Sequence, residues 1–154
     1  MKPIRTAARA FIVEEGRLLV IAMRDERGLF YILPGGGQLH GETLKTSLKR
    51  EVFEETGAQV DVGELLYVRE YIGRNHTFAR RHRHFHQLEV VFRCKLAGKG
   101  VRPGVGEGAD KRQVGIDWLD LAAIHRYRFY PEVLKSYVKD GQVHVDPIYM
   151  GDIN

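Results

Sequence analysis

The sequence predicts an α/β (α+β) sandwich around a mixed β-sheet, and three observations carry that prediction. Apolar runs of strand length recur along nearly the whole chain, only two unequal stretches read as helix, and glycine and proline clusters mark the joins. A chain of 154 residues suits a single domain, 1–154, large enough to bury a core without disulfide or metal staples.

Two β-like runs open the chain, at 6–13 and 17–23, and Glu14-Glu15-Gly16 between them reads as the tight turn of a hairpin. A short strand at 29–33 stops at Pro34-Gly35-Gly36-Gly37, where regular pairing has to end. A helix follows over 42–56, closed by Gly57 at the position where a left-handed cap favours glycine. Further strand-like runs fall at 60–71, 84–96 and 113–119, the last anchored in the core by Trp118. The glycine-rich stretch 98–108, with Pro103, reads as a surface loop. Tyr130-Pro131 opens a second predicted helix reaching 139, with Pro131 in the first turn, where its missing N–H costs little. The stretch 142–150 is broken by Pro147 and reads as an edge strand or tail.

Composition excludes disordered and fibrous classes: 44% hydrophobic and 29% charged residues describe an ordinary soluble globular chain. The single cysteine, Cys94, follows Val90, Val91 and Phe92 in an apolar run, and reads as a reduced core residue of a cytoplasmic protein rather than a catalytic thiol. The basic start is followed by an apolar stretch too short for a signal peptide, ending at Glu14-Glu15. No run approaches the roughly 18 apolar residues of a membrane span, so no membrane partner is expected. The formal net charge of +4 suits polyanionic partners, which nucleic acid, free nucleotides and phosphorylated metabolites all are.

The chemistry concentrates on the first predicted helix. Leu44, Leu48 and Val52 step along one stripe that must face the core. Glu51, Glu54 and Glu55 stand at i, i+3 and i+4, so their carboxylates share a patch bordering that stripe, and Ser47 leaves space one turn earlier. Crowded carboxylates repel one another and lose hydration. Two readings of the helix alone stand: a solvated acidic face, or a site where a hard cation such as Mg²⁺ or Mn²⁺ neutralises the patch. Arg50 can clamp a carboxylate of the patch or of Glu42. Pro34-Gly35-Gly36-Gly37 adds a loop free of side chains just before the helix, where backbone groups can approach a ligand closely.

With that loop included, the stretch resembles the Nudix box, G-x5-E-x7-R-E-U-x-E-E-x-G-U, where U is a bulky apolar residue. It matches at Gly36, Glu42, Arg50, Glu51, Val52, Glu54, Glu55 and Gly57, and departs only at Ala58, smaller than the usual aliphatic residue. The box spans about a sixth of the chain. The resemblance implies a Nudix-type α/β/α sandwich with a mixed sheet. It implies that Glu51, Glu54 and Glu55 hold Mg²⁺, or Mn²⁺ in its place, together with the carbonyl of Gly35. It gives Glu51, Glu54 and Arg50 as the catalytic set, Glu51 standing where some members keep the general base, while Glu42 and Arg50 orient the metal ligands. Other members take the base from a loop outside the box. The loop carboxylates here are Glu107 and Asp110, of which Glu107, between two glycines, reads either as an extra metal or base residue or as a solvated charge.

Between Arg74 and His86 lie Arg74, Arg80, Arg81, Arg83, His76, His82, His84 and His86. On a strand His82, His84 and His86 would share a face. The segment reads as an exposed loop entering an amphipathic strand, as a phosphate-binding segment, or, least in keeping with the oxygen-rich helix, as a zinc site. Arg83 and His86 are the substrate-binding candidates it offers. Tyr31, with Tyr71 and Phe85, can stack on a base or simply fill the core.

The function implied is a metal-dependent hydrolase cleaving the pyrophosphate of a nucleoside diphosphate linked to another group. An ADP-ribose-like substrate comes first and a nucleoside triphosphate next. The partner expected is thus a small-molecule nucleotide rather than nucleic acid. The alternative is a regulatory module that binds nucleotide or RNA on the same scaffold without turnover, and an isomerase is a third reading, which the lone cysteine does not favour. Homodimers are common in the family, and 142–154 could serve as an exchange element.

Overall fold

The computed structural model describes residues 1–98, 103–108 and 112–154. The predicted opening hairpin forms as β1 (Arg5–Glu14) and β2 (Arg17–Asp25), turning through Glu15 and Gly16, both at positive φ. Strand β3 (Gly28–Ile32) follows, then the glycine triplet pairs as a three-residue strand, β4 (Gly35–Gly37). Helix α1 (Leu44–Thr56) leads to the long strand β5 (Val60–Ile72), a short helical turn α2 (Ala79–His82), β6 (His86–Leu96) and β7 (Gln113–Asp120). Shorter strands complete the fold: β8 (Phe129–Tyr130), β9 (Val138–Lys139), β10 (Gln142–Val143) and β11 (Tyr149–Asp152).

The main sheet runs β11-β5-β6-β1-β2-β3-β8, with β4 paired to β1 and β7 to β2. It is mixed: β1 lies parallel to β6 from Arg5 to Ile12 but antiparallel to β4 and β2. On its other side β1 meets β4 at Ala7 to Arg9 and β2 only at Val13 and Glu14. The two halves of the sheet therefore splay apart around β1, and the opening between them becomes the cleft described below.

Both faces of the central strands are buried, in alternation. Ala8, Ala10, Ile12, Leu19, Val90, Phe92 and Cys94 pack with Leu48 and Val52 of α1. Phe11, Leu18, Val20, Tyr67 and Val91 face the other way, against Leu121, Ile124 and Leu134. Cys94 is thus a core residue, and burial pushes its thiol up to about 11. Trp118 packs beside the α1 layer.

The helix expected over 42–56 starts at Leu44, because Thr43 caps it: the Thr43 hydroxyl accepts from the Thr46 N–H at 3.1 Å. Gly57 closes it in the left-handed conformation, with φ of 70°. The second predicted helix does not form. Residues 132–137 make a 3-10 segment (Glu132–Tyr137), and the chain then extends into β9, which pairs with β10 across Asp140-Gly141. That dipeptide, with φ of 53° and 70°, is a hairpin signal that overrides the helical pattern before it. The face opposite α1 is therefore covered by 3-10 segments, Leu121–Arg126 and Glu132–Tyr137, rather than by a second α-helix. The stretch 142–150 divides at Pro147 into β10 and the start of β11, which joins the edge of the sheet parallel to β5. Among the described residues, no helix is long and apolar enough to cross a membrane.

Candidate active site

The site begins where β4 lies against β1. A Cβ on Gly35 would stand 2.1 Å from the Ala8 carbonyl oxygen, and one on Gly36 would stand 2.4 Å from Glu51 Oε2. At Gly35 sheet backbone beneath leaves no room for a side chain, and at Gly36 a side chain would displace the α1 carboxylate above. Ser47 Oγ, buried at the helix–strand contact, donates to the Gly37 carbonyl at 3.3 Å and pins α1 to β4.

Arg50 organises the acidic residues. Its Nε and Nη2 grip both oxygens of Glu42, at 2.6 and 3.0 Å, and Nη2 also reaches the Gly37 carbonyl at 3.0 Å. Its Nη1 donates to Glu51 at 2.8 Å and to Glu54 at 3.3 Å. Glu42 is fixed as well by the Leu39 N–H at 3.0 Å. These bonds, that to Arg50 first, hold the Glu42 carboxyl at about 2, and the Glu42 bond raises the Arg50 guanidinium above its usual range. Glu55 turns to the other side of the loop, accepting from the Gly35 N–H at 3.2 Å.

Glu51, Glu55, Gly35 and Gly36 line one end of a cleft of about 460 Å³. Its floor is the continuation of one core face, where Arg69, Glu89 and Arg9 follow Tyr67, Val91 and Phe11 along β5, β6 and β1. Glu89, directly across from Arg69 in the sheet, is 2% exposed and takes an ion pair from each neighbour: Arg9 at 2.7 Å and Arg69 through its Nε. Gln87 Nε2 donates to it at 3.1 Å. Burial alone would raise the Glu89 carboxyl, but Arg69 and Arg9 more than offset this and hold it at about 2. Arg9 reaches on to the Leu33 and Gly35 carbonyls, at 3.2 and 2.8 Å. Two guanidinium groups against one carboxylate leave this floor positive. Farther along, Phe30, Tyr71, Phe78, Phe85 and Tyr130 supply aromatic wall, and Arg24, Arg81 and Arg112 supply charge.

The structure thus brings Gly35, Glu42, Arg50, Glu51, Glu54 and Glu55 together around one loop. Among the described residues, no three His, Cys, Asp or Glu side chains already form a metal cluster, and Arg50 Nη1 touches Glu51 and Glu54 together. The donors offered are all oxygen, and the Gly36 cradle keeps the space beside Glu51 free of side chain. Such a set fits a hard divalent cation.

Other expectations need correction. Tyr31 does not line the cleft: it packs edge-to-face on Tyr127, at 6.0 Å, against the core, and Phe30 takes the cleft side. His86 faces away from the cleft, 3.6 Å from Glu70, while Phe85 and Gln87 line it. Both follow from strand geometry, in which a shift of one residue exchanges faces. Arg83 is exposed, and its neighbours Arg81 and His82 reach the cleft from α2 instead. His82, His84 and His86 share no face, since they stand on α2, in a turn and on β6. Glu107 is exposed and does not line the cleft, although Gly108 does. Asp110 lies outside the described residues. The sequence reading missed Arg9, Arg69 and Glu89, whose signal was charge interrupting apolar strand runs.

Known proteins resemble this chain in sequence and in fold. Residues 3–139 match the NUDIX domain. The chain is 34% identical over 119 residues to a MutT-like protein of Streptomyces ambofaciens, an alignment spanning 76% of this chain and 65% of that protein, just under two thirds of its length. It is 31% identical over 103 residues to the nucleoside triphosphatase NudI of Escherichia coli, covering 64% of this chain and 73% of the relative. Among solved structures, the MutT NUDIX hydrolase of Burkholderia pseudomallei superposes with a TM-score of 0.61 at 25% identity, over 79% of this chain and 86% of that one. A NUDIX hydrolase of Nitrosomonas europaea gives a TM-score of 0.70 over 99% of this chain and 81% of that one, a likeness of fold at 19% identity. An ADP-ribose pyrophosphatase of Streptococcus suis shares the fold as well, with a TM-score of 0.52 at 20% identity over 78% of this chain and 76% of that one. Glycine cradle, arginine clamp and acidic helix stand within the matched span, and the chain belongs to the NUDIX family.

Proposed function

We propose that this Nudix protein is a Mg²⁺-dependent pyrophosphohydrolase acting on a nucleoside diphosphate linked to a further group, either an ADP-ribose-like compound or a nucleoside triphosphate. The observation that carries the reading is the Arg50 clamp, which orients Glu42, Glu51 and Glu54 beside the Gly35-Gly36 cradle at the end of a positively floored cleft. Glu51, Glu54, Glu55 and the Gly35 carbonyl would hold the cation. Mg²⁺ or Mn²⁺ bound there supplies neutralisation of phosphate charge and activation of water. Arg50 fixes the direction of the carboxylates, Arg9 fixes the Gly35 carbonyl, and Arg24, Arg81 and Arg112 offer charge to phosphate oxygens. A cleft of about 460 Å³ is in the range that encloses a nucleotide-sized ligand, and Phe30, Tyr71 and Phe85 line it with aromatic surface. Relatives named as nucleoside triphosphatase and ADP-ribose pyrophosphatase support both substrate classes. We read residues 1–154 as one cytoplasmic domain, a reading supported by β11 closing onto β5 and by the buried, unpaired Cys94.

The test is a nucleotide panel incubated with Mg²⁺, Mn²⁺ or EDTA, with products separated by chromatography. Nucleoside monophosphate should be released from at least one substrate only with metal, and Glu54→Gln should abolish the release. No turnover across the panel, or turnover that survives Glu54→Gln, would overturn the reading. RNA affinity that falls steeply with salt, without turnover, would support a binding module instead.

A further inference from the structure

The last turn of α1 has an electrostatic problem. Glu54 and Glu55 lie at the negative end of the helix dipole, and the turn contains no basic residue. Arg50, one turn earlier, is engaged with the Glu42, Glu51 and Glu54 side chains and not with the terminal carbonyls.

The chain answers with backbone instead. The N–H groups of Gly104, Gly106 and Gly108 donate in turn to the carbonyls of Thr56, Glu55 and Glu54, at 2.9, 2.8 and 3.1 Å. Gln113 Nε2 adds a bond of 3.2 Å to the Glu55 carbonyl, and the Gly57 N–H takes that of Phe53 at 2.8 Å. The four terminal carbonyls of the helix, which have no partners within it, are all satisfied. The approach is tight at the middle of the segment: a Cβ on Gly106 would stand 2.2 Å from the Glu54 carbonyl oxygen, and one on Gly108 2.9 Å from Glu54 Cβ. A Cβ on Gly104 would meet nothing within 4 Å. Glu107, between the two contact glycines, is exposed.

We propose that residues 104–108 are a positioning strap for the cation-binding carboxylates, with Gly106 as its key residue. The strap neutralises the helix terminus with dipoles rather than charge. By fixing the backbone of this turn it holds Glu54 and Glu55 where a divalent cation can use them. The inference rests on the metal-dependent reading above. Gly106 is a positioning residue: it touches the helix, not the substrate.

The test compares Gly106→Ala with Gly104→Ala in the full chain. Mn²⁺ binding is read by electron paramagnetic resonance without substrate, with thermal unfolding followed in EDTA. Gly106→Ala should weaken Mn²⁺ binding by about tenfold or more, as losing support for a metal ligand commonly does, and Gly104→Ala should stay within about twofold of the parent. Gln113→Leu, which removes one bond to the same carbonyl and no glycine, should weaken binding in the same direction and serves if Gly106→Ala does not fold. Val145→Ala, destabilising from the far core cluster, should lower the unfolding temperature and leave Mn²⁺ binding unchanged. The proposal is overturned if Gly106→Ala or Gln113→Leu loses stability with Mn²⁺ binding intact, if Gly104→Ala loses as much affinity as Gly106→Ala, or if the parent binds no Mn²⁺. A parent that binds Mn²⁺ with these variant effects, yet turns over no nucleotide, would uphold the strap and overturn the hydrolase reading alone.

Discussion

Arg9 Nη1 donates to the carbonyl oxygen of Gly35 at 2.8 Å, so the oxygen expected to face a cation is aimed by an arginine that is itself locked to Glu89. The planar fork serves three acceptors at once, a carboxylate and two carbonyls, which an ammonium cannot match. Arg9→Lys should therefore keep the charge and lose the aim. We expect kcat/KM to fall about tenfold or more at saturating Mg²⁺. Steady-state kinetics on the best substrate of the panel checks this.

Removing the charge of Glu89 should unfold more than it inactivates. Arg9 and Arg69 would be left buried without their counter-charge, at a cost of about 3–5 kcal/mol at neutral pH, readable by urea unfolding of Glu89→Gln.

The same carboxylate sets the acid limb of stability. Its folded value of about 2 lies below its ordinary 4.5, so its stabilisation is fully present above 4.5 and is lost as pH falls towards 2. Glu42 and Asp25, each held near 2 by an arginine, contribute in the same window and with the same sign. Between pH 4.5 and 2 the unfolding free energy of the parent should fall steeply, and Glu89→Gln should fall less steeply, by close to one proton.

Glu42 and Arg50 should behave as one unit. Glu42→Gln and Arg50→Lys each break the two-point grip at 2.6 and 3.0 Å. Each is expected to lower kcat by about ten- to a hundredfold, and the double variant should lose much less than the product of the two. A double-mutant cycle with additive losses would mean that the pair does not act through a shared geometry.

Gly36→Ala places a methyl group where Glu51 Oε2 now lies, 2.4 Å away. The flexible carboxylate can swing aside, so the fold should survive with a small drop in unfolding temperature while Mg²⁺-dependent turnover is lost. Circular dichroism melting alongside the activity assay separates the two effects.

Cys94 should resist thiol reagents in the native state and react fully in denaturant, because its buried thiol sits at about 11. Rapid native labelling would mean that the strand β6 opens locally.

What the sequence disclosed was short-range. The α1 stripe of Leu48 and Val52 and the Gly57 cap follow from spacing within a few turns, and the structure places them as spacing requires. The cleft floor was not legible in the same way, because Arg9 and Glu89 are separated by 80 positions and meet only through parallel pairing of β1 and β6. Tyr31 and His86 show a subtler limit. Apolar or aromatic residues stand on both faces of these strands, so alternation could not say which face opened on the cleft, and Phe30 and Gln87 hold the places expected of their neighbours. The helix expected after Pro131 failed for a legible reason, since Asp140-Gly141 was a hairpin sign within reach. The strap could not be read at all: its glycines matter through contact with a helix some fifty residues earlier.

The glycine triplet that forms β4 is hydrogen-bonded into the sheet beside Ala7, Ala8 and Arg9. The glycine end of the cleft is thereby part of the cooperative core, and its amides should exchange with solvent about as slowly as those of β1 itself. The far end is built differently, from the hairpin residue Phe30 and the α2 residues Arg81 and His82, at the periphery. One end thus opens only together with the sheet, while the other can open on its own.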